Sequence, residues 1–423
     1  MNSDGSVVLL TIDTLRADRF TRTCFPKSFS TFERDFAHFT NALSHGNATP
    51  LAFPAIMTSK PVTDNGELDS ETKTISEFFS DQFNTGFSNN AHLIEERGYQ
   101  RGFNLFHDLA PPDSTSIIDQ FKKYQTLRDS TIAVKTYRVL RKLRGIRQVE
   151  DGVVDSFPNP KTTGDEVTDF IERRLASGDG FVWGHYMDPH KPFHPDQAVD
   201  SPEIDRSREE IKYLNSYEHS KDPLSEDDIE FLEGLYESNI RYMDRELNRL
   251  FTWMRESDIY DDTLIVIVGD HGELFGEHGL MFHPMDVDPV DELLRTPLLV
   301  KYPRGNHAGK KFDHLVQHAD ILPTIVKTLG RSLDLVPDKA YPLTETIPRR
   351  VVSKSNVSIR LTEPNTVAYK RRDGTQDGID GLSDHGRQVL QEAEFPNVKT
   401  TEGTVKGVEE AERQRQLKAL GYQ

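Results

Sequence analysis

The residues of this chain best suited to chemistry lie at 270–283, where Val266-Ile267-Val268-Gly269 runs straight into Asp270-His271-Gly272-Glu273. A carboxylate and an imidazole on neighbouring residues at the tip of an apolar strand can reach one metal ion. Gly272 removes a side chain that would block the approach. Gly276-Glu277-His278-Gly279 and then His283 add two more histidines in a glycine-rich stretch, a grouping that core packing does not explain. A second apolar run, Val7-Val8-Leu9-Leu10-Thr11-Ile12, ends on Asp13, whose carboxylate can complete a coordination begun by Asp270 and His271. Between the two, Asn47-Ala48-Thr49-Pro50-Leu51 opens an apolar helical run with a hydroxyl. A threonine there meets free N–H groups and the positive end of the helix dipole, which suits a nucleophile working on an anionic substrate. Each segment also has a plainer reading: a turn with a solvated histidine for Asp270-His271, and helix caps for Asp13 and Thr49.

Strands must deliver these groups. Residues 7–12 and 263–268 are β-branched apolar runs of the kind buried on both faces of a parallel sheet. Two further runs, 180–183 and 296–300, have the same character. Helical stretches at 167–175 and 228–255 separate them; in the first, Val167, Phe170, Ile171 and Leu175 fall on one face. Strands alternating with helices predict an α/β fold with a mostly parallel central sheet covered by helices on both faces. Reactive groups in such sheets gather at the carboxyl edge, where Asp13 and Asp270 both fall. The main domain is expected over 1–335, with a small C-terminal appendage and polar tail over 336–423 that ends in an exposed helix.

The rest of the chain sets limits. With 51 Lys and Arg against 69 Asp and Glu, the net charge of −18 argues against general nucleic-acid binding. One basic island breaks the pattern: 120–150 holds Lys122, Lys123, Arg128, Lys135, Arg138, Arg141, Lys142, Arg144 and Arg147. It reads as a solvated helix face, or as a docking face for an anionic surface. Residues 196–228, rich in Asp, Glu, Ser and Pro, read as a surface insertion. A single cysteine, Cys24, excludes internal disulfides and multi-cysteine zinc sites, and is expected to be a buried thiol. No apolar run spans a bilayer and the N-terminus carries no signal-peptide pattern, so a cytoplasmic location is expected.

Taken in order, the motifs resemble the sulfatase branch of the alkaline phosphatase-like superfamily. Ile12-Asp13-Thr14-Leu15-Arg16-Ala17-Asp18 is similar to its opening motif, and Asp270-His271-Gly272-Glu273 with Gly276-Glu277-His278-Gly279 to its second metal motif. His185-Tyr186-Met187-Asp188-Pro189-His190-Lys191-Pro192-Phe193 resembles the substrate-side histidine motif. Asp291-Glu292-Leu293-Leu294-Arg295-Thr296-Pro297 and His318-Ala319-Asp320-Ile321-Leu322-Pro323-Thr324 resemble later segments, so the likeness spans 7 to about 330. The resemblance implies Asp13, Asp270 and His271 as ligands of one divalent ion (Mn, Zn, Mg or Ca), with Thr49 as fourth ligand and nucleophile. It implies His190 and His283 as catalytic contacts to the anion or leaving group, with Asn89 and His278 as further pocket residues. The implied activity is hydrolysis or transfer of sulfate or phosphate esters, on an anionic substrate such as a glycan or lipid.

Three departures from the family pattern stand out. In this resemblance Thr49 falls where sulfatases of the familiar type carry the Cys or Ser that they convert to formylglycine, so no formylglycine is expected. Asp13-Thr14 replaces a pair of aspartates, and Phe53 stands where an arginine is expected. The last change motivates an alternative: a catalytically weak or dead relative that binds an anionic glycan or lipid.

Overall fold

The computed structural model describes residues 6–62, 66–108, 164–195, 199, 206–217 and 223–396. The basic island at 120–150 lies outside the described residues. Eight strands form one sheet, in the spatial order Lys311–Phe312, Ala37–Phe39, Leu298–Lys301, Leu264–Gly269, Val7–Ile12, Phe181–Tyr186, Asn84–Phe87 and Leu105–His107. Val7–Ile12 is central and pairs in parallel with Phe181–Tyr186 on one side and Leu264–Gly269 on the other. Leu298–Lys301 runs antiparallel to both its neighbours, so the sheet is mixed but mostly parallel.

Every residue of the three central strands is buried. Because side chains alternate along a strand, Val8, Leu10 and Ile12 enter one core layer while Val7 and Leu9 enter the other. The first layer is covered by the helices Gly164–Ala176 and Glu226–Glu256. The latter, 31 residues long, starts at a capping box in which the Ser225 hydroxyl accepts from the Asp228 amide and the Asp228 carboxylate returns to Ser225. The second layer is covered by Thr49–Thr58 and Ile321–Thr328. Cys24 is a buried free thiol. Within 196–228, the helix Arg208–Asn215 buries Ile211 and Leu214, and the last three residues already belong to the long helix.

Beyond 336 the chain builds a four-stranded antiparallel sheet, Val351–Lys354, Ser358–Glu363, Thr366–Arg371 and Gln376–Asp377, with the helix Asp384–Glu392 against it. Its first strand grips the main domain just ahead of Thr49. The Lys354 amide donates to the His45 carbonyl at 2.9 Å, and the Ser353 hydroxyl donates to the Ser44 carbonyl at 2.6 Å.

Candidate active site

Parallel pairing in register brings the two aspartates side by side. Ile12 lies opposite both Gly269 and Tyr186, so the residues that follow the first two strands leave the sheet together at its carboxyl edge. The Asp13 amide donates to the Tyr186 carbonyl, and the Asp270 amide to the Ile12 carbonyl. Thr49 reaches the same spot as the first residue of the Thr49–Thr58 helix, with Pro50 in the first turn, where its missing N–H costs nothing. Asp13, Thr49, Asp270 and His271 are all buried.

In Asp13, Asp270 and His271, one side-chain atom is tied to the protein and another faces the centre. The Asp270 Oδ1 accepts from the backbone amides of Thr14 (3.1 Å) and His271 (2.7 Å), while its Oδ2 accepts from the Thr49 hydroxyl at 3.0 Å. The His271 Nδ1 donates to the Gly272 carbonyl at 2.8 Å, which leaves Nε2 unprotonated and 3.4 Å from Thr49 Oγ1. The Asp13 Oδ2 accepts from Asn90 at 2.8 Å and meets His185 Nε2 at 3.3 Å. Its Oδ1 is buried without a hydrogen-bond partner. That orphaned oxygen lies 3.6 Å from His271 Nε2, which is 3.7 Å from Asp270 Oδ2. Ligands about 2.1 Å from a cation sit about 3.0–3.4 Å from each other, so the cluster needs only a small contraction to hold one. Asp13, Asp270 and His271 form a group with all three donor atoms within 4.8 Å of one another. Gly272 is obligatory here, since a Cβ would lie 1.9 Å from the Glu292 carbonyl oxygen.

The electrostatics call for a positive charge. Burial and then the charge of Asp13 push the Asp270 carboxyl up to about 8. Burial also acts to raise Asp13, but the pull of His190, then of His185 and His271, holds it well below the usual carboxylate range. His271 is pushed down to about 4 by burial and next by the charge of His283, so it is a neutral imidazole. Two adjoining carboxylates and a neutral imidazole in a dry site are a donor set that a divalent ion would neutralise.

His190 and His283 stand beside the cluster, with ring centroids 5.0 Å apart, and His283 is 4.8 Å from the His271 ring. Lys191 places its ammonium 4.0 Å from the centre of the Phe282 ring, next to His283. Asn89 is half-buried, and its neighbour Asn90 is the residue that donates to Asp13 and, at 3.3 Å, to Thr49 Oγ1. The Asn90 side chain is aimed by its own turn, in which its amide donates to Ser88 Oγ and its Oδ1 accepts from the His92 amide. His278 is half-exposed and pairs with Glu292 at 3.3 Å, outside the ring of ligands.

His185 and Asn90 are the residues the sequence reading missed. Trp183 Nε1 donates to Thr11 Oγ1, which meets His185 Nδ1, each at 2.9 Å. An ionised Asp13 can only accept, so His185 Nε2 carries the proton toward it. Phe53 is fully buried and packs edge-on to the His185 ring at 5.2 Å. Phe53 thus braces the histidine that meets the Asp13 carboxylate. Thr14, where a second aspartate was expected, has φ of 55°, a conformation costly for a β-branched residue. It is anchored through its carbonyl, which accepts from the Tyr236 hydroxyl at 2.8 Å.

The architecture defines the class, an alkaline phosphatase-like α/β protein. The fold resembles the phosphonate monoester hydrolase of Agrobacterium radiobacter with a TM-score of 0.59 over 98% of this chain and 95% of that one, at 15% identity. The family model described as sulfatase matches residues 6–331, and the chain belongs to the sulfatase family. Among curated relatives, the multifunctional alkaline phosphatase superfamily protein PehA of Trinickia caryophylli is 33% identical over 119 residues, 28% of this chain. The choline-sulfatase of Rhizobium meliloti (strain 1021) is 29% identical over 127 residues, 30% of this chain. Each match spans 23% of the relative's own length. Among the described residues, no helix is long and apolar enough to cross a membrane.

Proposed function

We propose that this chain is a metal-dependent esterase for sulfate, phosphate or phosphonate esters, with one divalent ion held by Asp13, Asp270, His271 and Thr49. The observation that carries this reading is the position of Thr49 Oγ1, 3.0 Å from Asp270 Oδ2 and 3.4 Å from His271 Nε2 at a helix N-terminus. Two carboxylates, a hydroxyl and one imidazole suit manganese, zinc or magnesium, and the hard oxygens also admit calcium. When bound, the ion supplies acidification of the threonine hydroxyl and neutralisation of the ester's charge.

Thr49 Oγ1 attacks the sulfur or phosphorus, forming a threonine ester as the bond to the leaving oxygen breaks. Asn90, 3.3 Å from that hydroxyl, keeps it aimed. His190, His283 and Lys191 supply the positive surroundings that Phe53 does not, and the leaving oxygen takes its proton from His283. Water, or an acceptor alcohol in a transferase, then releases the threonine ester. The ester class rests on family membership and on the phosphonate monoester hydrolase, choline-sulfatase and PehA likenesses.

The test is a panel of aryl sulfate, phosphate monoester, phosphate diester and phosphonate monoester substrates, with and without manganese. Turnover of at least one class that requires the ion and disappears in Thr49→Ala, with an unchanged melting temperature, is expected. Full activity of Thr49→Ala would end the threonine mechanism. A second reading, a weak relative that only binds an anionic glycan or lipid, is favoured by Phe53, whose burial leaves no cation at the arginine position. Binding of a sulfated glycan with no turnover anywhere in the panel would establish it instead.

A further inference from the structure

We infer that Glu273 is a positioning residue: its buried carboxylate fixes the tautomer and direction of His283, so that Nε2 faces the leaving oxygen. This rests on the esterase reading above and assigns Glu273 a role that acts through His283.

The pairing is built into the backbone. Leu274–Phe275 and Met281–Phe282 form a two-stranded antiparallel ribbon in which Leu274 lies opposite Phe282. The next pair outward is Glu273 and His283, residues ten apart in sequence that the ribbon sets face to face. Glu273 Oε1 and His283 Nδ1 are 2.7 Å apart, and the Glu273 side chain is fully buried. Both ends of the pair are held. Arg16, itself buried, donates to the Glu273 carbonyl at 2.9 Å and to Glu277 Oε1 at 2.7 Å. On the other strand, Phe282 has φ of 64°, a conformation that a bulky residue adopts only under constraint, and it turns the chain immediately before His283.

The chemistry follows from hydrogen-bonding capacity. The 2.7 Å contact pairs the imidazole Nδ1 with a carboxylate oxygen, and Nδ1–H donating to that acceptor is the arrangement we assign. Whatever proton His283 gains or loses is then carried by Nε2. As the ester bond to the leaving oxygen breaks, that proton passes from Nε2 to the oxygen, and Nδ1–H remains on Glu273. The attacking water returns a proton to Nε2 in the second half of the cycle. Packed against the rings of both His271 and His190, His283 has little freedom to present another edge.

A protonated leaving group matters in proportion to its basicity, which gives a readout that mere loss of structure would not move. The manganese-loaded full chain is assayed on the p-nitrophenyl and methyl esters of phenylphosphonate. Glu273→Ala is expected to lower kcat on the methyl ester by about 100-fold, at the low end of general-acid effects, and on the p-nitrophenyl ester by less than about 3-fold, with KM unchanged. Glu273→Gln, whose amide oxygen still accepts from Nδ1, should recover most of the methyl-ester rate. In a His283→Ala background Glu273→Ala should cost nothing further. Equal losses on both esters, or a further loss in the His283→Ala background, would overturn the assignment. A ¹⁵N spectrum of the wild-type histidines serves as an activity-independent arm, which decides the matter if Glu273→Ala does not fold. A protonated Nδ1 on His283 is expected, and an unprotonated one refutes the role of Glu273. If the wild-type chain turns over neither ester, the esterase reading fails on its own, and the spectrum still judges the pair.

Discussion

Asparagine at 270 should make the metal-free protein more stable while destroying its response to metal. Asp270→Asn keeps the shape of the side chain and an Oδ1 that accepts from the amides of Thr14 and His271. The new amide N–H would face Thr49 Oγ1 and His271 Nε2, both able to accept. What the change removes is a charge buried against Asp13. Raising a carboxyl from 3.8 to about 8 corresponds to at most about 6 kcal/mol at about 1.4 kcal/mol per pH unit. Asp13, held low by three histidines, is ionised in the folded and the unfolded chain alike above about pH 5, so the cost comes from Asp270 and amounts to a few kcal/mol, below that ceiling. The sign is fixed by linkage. Between pH 4 and about 8 the folded state keeps a proton on Asp270 that the unfolded chain has lost, so metal-free wild-type stability falls as pH rises through that window. For a chain of 423 residues this is a melting-temperature difference of about 2–3 °C. The assay is a thermal melt in EDTA from pH 5 to 9, repeated with manganese. Wild type should lose stability toward pH 9 in EDTA and regain about 3 kcal/mol with the ion at a hundredfold excess over its dissociation constant. Asp270→Asn should melt higher than wild type at pH 8.5 in EDTA and gain nothing from manganese. If it melts lower there, or if both proteins respond equally to the ion, the two carboxylates do not share a cation.

Two shorter predictions probe what surrounds the ring. Phe53→Arg, which restores the residue type expected at this position, should destabilise the protein by at least about 3 kcal/mol, because a fully buried ring against His185 would be replaced by an unpaired charge. A urea melt showing no loss would mean that the site can open to take a cation there. Asn90→Ala should weaken manganese binding by about 10–100-fold in calorimetry, the usual effect of removing a hydrogen bond that orients a ligand; unchanged affinity would reduce Asn90 to a substrate contact.

The meeting of Asp13, Asp270 and His271 was legible in sequence because parallel strands make one-dimensional information three-dimensional. An apolar β-branched run that stops at a carboxylate says which edge of the sheet the carboxylate occupies, and two such runs say that the carboxylates share it. Asp13, Asp270 and His271 follow from that rule, and Thr49 from its place before a proline at a helix start. Asn90 was not legible, because the choice between it and Asn89 is made by the turn after Asn84–Phe87, through hydrogen bonds to Ser88 and His92. His185 was passed over as a strand-end residue, because its approach to Asp13 depends on the Trp183–Thr11 relay across two strands. The C-terminal sheet was hidden for a different reason. Ser358-Ile359-Arg360-Leu361-Thr362-Glu363 alternates apolar and polar residues on a short strand, a weak signal beside the continuous runs of the main sheet.

That sheet bears on the chemistry through the loop it grips. Thr49 has no strand of its own to fix it; its position depends on residues 44–48, which must hold the helix start against the sheet edge. Ser44 donates to the Asp270 carbonyl at 2.6 Å and, through its own carbonyl, accepts from Ser353 at 2.6 Å. Asn47 donates to the Pro284 carbonyl at 2.8 Å, one residue past His283. Gly46 allows the backbone to pass so close under the helix that a Cβ would lie 2.2 Å from that of Leu51. The start of the Thr49 helix, the strand that ends at Asp270 and the C-terminal sheet are therefore one hydrogen-bonded assembly. Removing residues 351–396 would take away the backbone partners of Ser44 and His45, and should release Thr49 from Asp270 before it unfolds the central sheet. The C-terminal sheet supports the backbone just ahead of Thr49, and its first strand is buried along most of its length.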